Sequence, residues 1–247
     1  MHSLKNLFFL LKIPHCIKNL SIFLPSVAAH SISDLNLFNA ICFFINFSVL
    51  ASIVYLFNNI NDYKVDINNK NLKYTIDLRN ISSYIYWGSS VLSIQIIILW
   101  FWQPKIIILC LLYFSLSITY NYHLKQKKYL DIFTLSVFHL IRIYYGSIAF
   151  NVDLSLFFII FCGSIFLMIG ANKRIVEIYK KYENRPYNFN DQKNIEKLQI
   201  IFGIIAILVF LLYALDGNKN IYFENRYTIY LNLIIIILMV FNFINSQ

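Results

Sequence analysis

Long apolar runs alternate with short polar segments along the whole chain. Eight stretches reach or approach the about 20 consecutive apolar residues that a bilayer-crossing helix needs. They are 17–33, 38–58, 82–102, 104–121, 131–150, 154–172, 197–215 and 227–245. Pro25 interrupts the first, whose ends are polar; the others are nearly free of charge. The pattern predicts an all-α, polytopic membrane helical bundle of about eight transmembrane helices, with residues 1–247 forming one integral membrane domain. Ahead of it, Leu7 to Leu11 lie between Lys5 and Lys12. That run is too short for a signal peptide and reads as an amphipathic lead-in at the membrane surface.

Composition narrows the class. Of the 247 residues, 59% are hydrophobic and 13% charged, against about 25% charged in a soluble domain. Disordered, collagen-like and coiled-coil chains are excluded. The net charge of +9 is decided by its placement. With the N-terminus cytoplasmic, 17 of the 21 Lys and Arg fall on the inside and three outside, with Arg142 within a span. This positive-inside bias sets the orientation and supports the span count. The basic residues form a belt facing one side of a bilayer, so the lipid bilayer is the expected partner and nucleic acid is not. Both long connections, 59–81 and 173–196, lie on the cytoplasmic side, where chemistry is expected. They follow the second and sixth spans, four helices apart, which hints at a four-plus-four duplication. Cys16, Cys42, Cys110 and Cys162 are widely spaced and predict neither disulfides nor a zinc site. The oligomeric state has no signature in the sequence.

The inner end of the second span reads Tyr55-Leu-Phe-Asn58-Asn59-Ile-Asn61-Asp62-Tyr63-Lys64-Val-Asp66. Asn58, Asp62 and Asp66 are four residues apart and share one helix face, with Asn59 beside them. Carboxylates one turn apart at a membrane mouth suit Mg²⁺, a hard cation that takes oxygen ligands, water and substrate phosphates. A solvated loop, rich in Asn through an AT-rich genome, fits the same residues. Arg142 stands deep in an apolar span, where a charge costs about 2.5–3.5 kcal/mol and normally faces an interior cavity with a partner. Asp131 is three turns away, too far along the helix to pair with it. The expected partner is therefore a lipid phosphate or a carboxylate from another span. Lys173, Arg174 and Glu177 open the second long loop. Alone they read as a positive-inside anchor; opposite the acidic stretch, Lys173 and Arg174 read as phosphate-binding cations, with Glu177 the one acid among them. Gly163 and Gly170, seven apart, favour close helix packing.

These motifs, in this order, resemble the UbiA superfamily of intramembrane prenyltransferases. The stretch 58–66 is similar to the family's first aspartate motif, N-D-x-x-D-x-x-x-D, with Asn59 in place of the first Asp. Further matches point to the decaprenyl-phosphate phosphoribosyltransferase branch. Lys12-Ile-Pro-His15-Cys-Ile-Lys18-Asn19 resembles its R-P-x-Q-W-x-K-N opening. Tyr120-Asn-Tyr122-His-Leu124-Lys125, then Asp131 and Arg142, resembles its Y-S-x-x-L-K…D…R pattern. Gly163-Ser164 leading to Lys173-Arg174-Ile-Val-Glu177 resembles its G-S…K-R-x-x-E element. The K-x-x-R-P that follows the aspartate motif is replaced, with Leu72, Thr75 and Ile76 at those positions. The family has nine spans where eight are counted here.

The resemblance implies a Mg²⁺-dependent transferase of the bacterial cytoplasmic (inner) membrane, working at its cytoplasmic face. It would move a phosphoribosyl group from the soluble donor 5-phosphoribosyl diphosphate to a polyprenyl phosphate of the cell envelope. Asp62, Asp66 and Asn58 would hold the metal and Asn59 would assist catalysis. Lys18, Asn19, Tyr122, Lys125, Asp131, Arg142, Lys173, Arg174 and Glu177 would bind substrate. Two other readings remain open: transfer of a prenyl group to an aromatic or other acceptor, and an inactive homologue or small transporter.

Overall fold

Proline divides the first apolar stretch. A computed structural model of the protein describes residues 9–29, 31, 35–66, 81–180, 186–215 and 226–245. In it the stretch expected as the first span, 17–33, is built as two short pieces. A 3₁₀ helix covers Ile13–Phe23, and α1 covers Leu24–Ala28. Pro14 and Pro25 each sit in the first turn of a piece, where a missing N–H costs nothing.

The remaining elements are long α-helices: α2 (Leu37–Asp66), α3 (Ile81–Trp102), α4 (Lys105–Tyr122), α5 (Leu130–Phe150), α6 (Leu156–Tyr179), α7 (Gln192–Leu215) and α8 (Arg226–Asn245). No strand occurs among the described residues. Six stretches, one each in α2 to α7, are long and apolar enough to cross a membrane; the described apolar part of α8 is the shorter Asn232–Ile244. The fold is an all-α, polytopic helical one.

Two helices run further than the hydrophobic pattern indicates. The apolar run of α2 fades near residue 58, yet the helix continues to Asp66. Its 30 residues span about 45 Å, beyond the about 30 Å of bilayer hydrocarbon. The last polar turns therefore extend past the apolar part. Helix α6 continues through Lys173, Arg174 and Glu177 to Tyr179. These three residues lie on a helix rather than opening a loop, and Arg174 and Glu177 face each other three residues apart.

The chain divides into two compact units. One contains Met1–Asn121 with Arg142–Val152, and the other Tyr122–Ile141 with Asp153–Gln247, so α5 supplies residues to both. In the first unit, aromatic rings from α2, α3, α4 and α5 build the core. Phe47 meets Tyr113 and Tyr145 edge-on at 5.0 and 4.9 Å, and Phe43 stacks on Trp102 at 4.4 Å. In the second, α6 packs along α7 and α8 through buried Ile165, Met168, Ala206 and Val240.

Gly146 on α5 is where the 3₁₀ helix comes closest. A Cβ there would stand 1.8 Å from the Ile22 carbonyl oxygen. The Gly163 site is different, its nearest neighbour being the Leu140 side chain at 3.7 Å. Gly146→Ala is expected to destabilise the protein by at least about 1–3 kcal/mol, the usual cost of overpacking. Gly163→Ala is expected to be neutral or to stabilise by up to about 1 kcal/mol through helix propensity. Thermal unfolding of the two variants in detergent checks the contrast; equal behaviour would contradict it.

Candidate functional site

In the first unit a polar stripe descends one face of α2. Ser48, Ser52, Tyr55, Asn59, Asp62 and Asp66 follow one another at alternating steps of four and three residues, which keeps them on one side of a helix. The N-terminal 3₁₀ helix lies against the upper part of this stripe. Its residues Cys16, Asn19 and Ile22 are three apart, the period at which 3₁₀ side chains eclipse. Cys16 Sγ is 4.0 Å from Ser52 Oγ, and Asn19 Nδ2 donates to Ser48 Oγ at 3.0 Å. The His15 ring stands 5.9 Å from that of Tyr55, and the Lys12 ammonium lies 5.5 Å over the same ring.

Arg142 closes this cluster. It is 4% exposed, and its Nε donates to Asn19 Oδ1 at 3.1 Å while Nη2 donates to Tyr113 Oη at 2.9 Å. The guanidinium also lies 5.4 and 5.8 Å from the ring centres of Tyr113 and Phe47, within cation–π range. Two of its hydrogen-bond partners are thus an amide and a phenol. Both orient the guanidinium. Lys18, on the exposed side of the 3₁₀ helix, is close enough to be repelled by Arg142. Arg142 and Lys18 thus stand together beside the polar stripe.

Lower on α2, Asn59 is 1% exposed, and its Nδ2 donates to the Leu10 carbonyl at 2.7 Å. A carboxylate cannot make that bond. Asn59 thereby ties the lead-in segment to α2, where Leu10 packs with Leu56 and Tyr63. The Oδ1 atoms of Asn58 and Asn59 are buried and accept no hydrogen bond. The helix carries Asp62 and Asp66, but their side chains lie outside the described residues, as do Leu72, Thr75 and Ile76.

The second unit holds a different cluster. Asp131 and Arg174 are both 0% exposed and pair at 2.5 Å, Arg174 Nε to Asp131 Oδ2. Arg174 Nη1 also donates to Glu177, and the Tyr187 hydroxyl donates to the other Asp131 oxygen. Tyr187 Oη in turn accepts from the Tyr129 backbone N–H at 2.7 Å. Burial, and then the bond to Asp131, hold the Tyr187 phenol well above its ordinary pKa, so it remains a donor. Tyr129 has φ 66°, a left-handed conformation that a bulky residue adopts only when its surroundings impose it. Three of the residues expected to bind substrate, Asp131, Arg174 and Glu177, are thus bound to one another. Lys173 is exposed on α6. Tyr122 ends α4, also exposed, and Lys125 is half-buried in the short 3₁₀ turn Leu124–Gln126.

The UbiA prenyltransferase family profile matches residues 19–183. The chain belongs to that family. It is also 27% identical over 141 residues to decaprenyl-phosphate phosphoribosyltransferase of two Mycobacterium tuberculosis strains, CDC 1551/Oshkosh and H37Rv. The match covers 55% of this chain and 46% of each relative, so the chain spans about half the length of the curated relatives it matches. Family membership and the six apolar stretches make this UbiA-family protein an integral membrane protein.

Family enzymes generally use Mg²⁺. Among the described residues no three His, Cys, Asp or Glu side chains group together. The orphaned amide oxygen of Asn58 nevertheless suits a hard cation. It lies one and two turns before Asp62 and Asp66 on the same helix, so the residues present fit the metal. Ser48, Ser52, Tyr55 and Tyr113 are additions that sequence reasoning missed. For the three on α2 the signal was there: polar positions of one helical period inside an apolar span.

Arg174→Met, which strands a buried Asp131 carboxylate, is expected to cost the UbiA-family protein about 3–5 kcal/mol. Adding Asp131→Asn should recover part of the loss, because the two sites are coupled. Lys173→Gln should stay within about 0.5 kcal/mol of wild type. Thermal unfolding in detergent reads all three; an Arg174→Met protein as stable as wild type would refute the buried pair.

Proposed function

We propose that this UbiA-family protein is a Mg²⁺-dependent membrane transferase. It moves a phosphoribosyl group from 5-phosphoribosyl diphosphate to a polyprenyl phosphate. The observation that carries the reading is the Asn19–Arg142 hydrogen bond. Two residues 123 apart in sequence, each part of a different motif of the phosphoribosyltransferase branch, meet beside the polar stripe of α2. The similarity to relatives named decaprenyl-phosphate phosphoribosyltransferase points the same way.

In this reading the lipid phosphate oxygen attacks the ribose anomeric carbon. The bond from that carbon to the diphosphate breaks, and its electron pair leaves with the diphosphate. The attacking phosphate is already an anion, so no proton has to be removed first. Charge builds on the leaving group, and preorganised groups that meet this charge lower the barrier most. Mg²⁺ held by Asp62, Asp66 and Asn58 would supply that charge neutralisation. Asn59 serves from behind, holding the lead-in segment against α2. Lys18 and Arg142 attract and orient a phosphate group, with Asn19 and Tyr113 fixing the guanidinium. Lys173, Lys125 and Tyr122 are the remaining phosphate-binding candidates. Asp131, Arg174 and Glu177 act as the frame that sets the end of α6. The site works at the cytoplasmic face of the bacterial inner membrane, where the soluble donor arrives.

Purified protein in lipid nanodiscs is expected to move label from 5-phosphoribosyl diphosphate onto polyprenyl phosphate. Chelation should abolish transfer and added Mg²⁺ restore it. Asp62→Asn and Asp66→Asn should each lower turnover by about 10²–10³-fold, the scale of losing one transition-state stabiliser. Label passing instead from a prenyl diphosphate to an aromatic acid would overturn the substrate assignment. Unchanged turnover in both Asn variants would overturn the metal site.

A further inference from the structure

A groove of about 560 Å³ runs along the second unit, between α5 and α7 with α6 as its floor. Its size lies within the range of small-molecule sites, about 300–1,000 Å³. Tyr129 and Phe133 line the α5 side, Leu167 the floor, and Asn194, Lys197 and Phe202 the α7 side. From Asn194 to Phe202 the helix rises about 12 Å, so the groove is elongated along the spans. Its deep part is wholly apolar. Its polar groups gather at one end, the end at which α5 and α7 both begin.

That end is also where the chain leaves its apolar runs. Lys128, just before α5, pairs with Asp191, just before α7, at 2.8 Å. On the α7 side, Asp191 is engaged with Lys128, and Glu196 Oε1 accepts from Gln192 Nε2 at 2.6 Å. Lys197 is exposed and joins no ion pair among the described residues. An exposed ammonium, an amide and a phenol stand at the mouth of an apolar channel between membrane helices. A basic pocket between spans is the recurring form of an anionic lipid site.

We propose that the groove holds one anionic phospholipid, with an acyl chain between Phe133 and Phe202 and the headgroup phosphate on Lys197. Asn194 and the Tyr129 hydroxyl are placed to donate to the phosphate or the ester oxygens. A zwitterionic lipid would fill the same channel but bring a second, positive group towards Lys197. The site stands apart from the proposed transfer reaction, and its test does not depend on that activity.

The test uses the full chain in nanodiscs of phosphatidylcholine containing phosphatidylglycerol, with retained lipid counted by native mass spectrometry. Phosphatidylglycerol should be retained over phosphatidylcholine, and Lys197→Gln should lower that preference by about fivefold, the weight of one lysine at an anionic membrane surface. Leu198→Trp, which fills the channel, should reduce retention of both lipids while the helical circular dichroism stays unchanged. Inorganic phosphate should not compete. The proposal is overturned if wild type shows no anionic preference, if both variants retain lipid as wild type does, or if inorganic phosphate displaces the lipid. Preferential retention of polyprenyl phosphate over phosphatidylglycerol would also overturn it, making the groove an acceptor site.

Discussion

The first unit is organised by the need to hide one positive charge. An arginine in mid-span is costly wherever lipid surrounds it, so the chain surrounds Arg142 with protein. Asn19 and Tyr113 accept its N–H groups, and Phe47 and Tyr113 present ring faces to it. Each partner comes from a different element, and each is held in turn: Asn19 by Ser48, Phe47 and Tyr113 by one another. The N-terminal segment, too short and too polar to anchor itself, is placed by this bond and by the Gly146 gap that admits its backbone.

The second unit also buries an arginine. Arg174 is matched by carboxylates, Asp131 and Glu177, and the pair is sealed from solvent. Such a pair adds little net stability over an apolar replacement, but losing one half is expensive. It works as a joint. The start of α5, the end of α6 and the segment carrying Tyr187 are fastened at one point, and Tyr129 is held in its unusual backbone conformation by the same hydroxyl. The cation nominally suited to phosphate is occupied with structure, and the exposed charge at that helix end belongs to Lys173.

Much of this was legible beforehand. Apolar runs of membrane-crossing length gave the helices from α2 onward, because lipid leaves a chain no other way to satisfy its backbone. The aspartate-motif stretch and Arg142 stood out because charge inside an apolar run is rare. Helix ends lie beyond the apolar runs where polar residues continue a helix, as at Asp66 and Tyr179: hydropathy reports the solvent, not the hydrogen-bond ladder. The 3₁₀ helix was hidden for a related reason, since Pro14 and Pro25 mark breaks without saying what lies between them. Pairings such as Asp131 with Arg174 were illegible because residues 43 apart in sequence meet only through tertiary packing. Asn59 was expected to assist catalysis in place of the motif's first Asp; its amide nitrogen, the very atom that distinguishes it from Asp, bonds the Leu10 carbonyl.

The tight winding of residues 13–23 has a geometric corollary. At about 2 Å per residue, eleven residues reach as far as roughly fifteen would in an α-helix, and positions 16, 19 and 22 form a straight seam instead of a spiral. A seam of that kind tolerates substitution but not a change in spacing. One extra residue between Cys16 and Asn19 would rotate everything after it by a third of a turn, carrying the amide away from the guanidinium. Length, more than composition, is what this stretch must preserve.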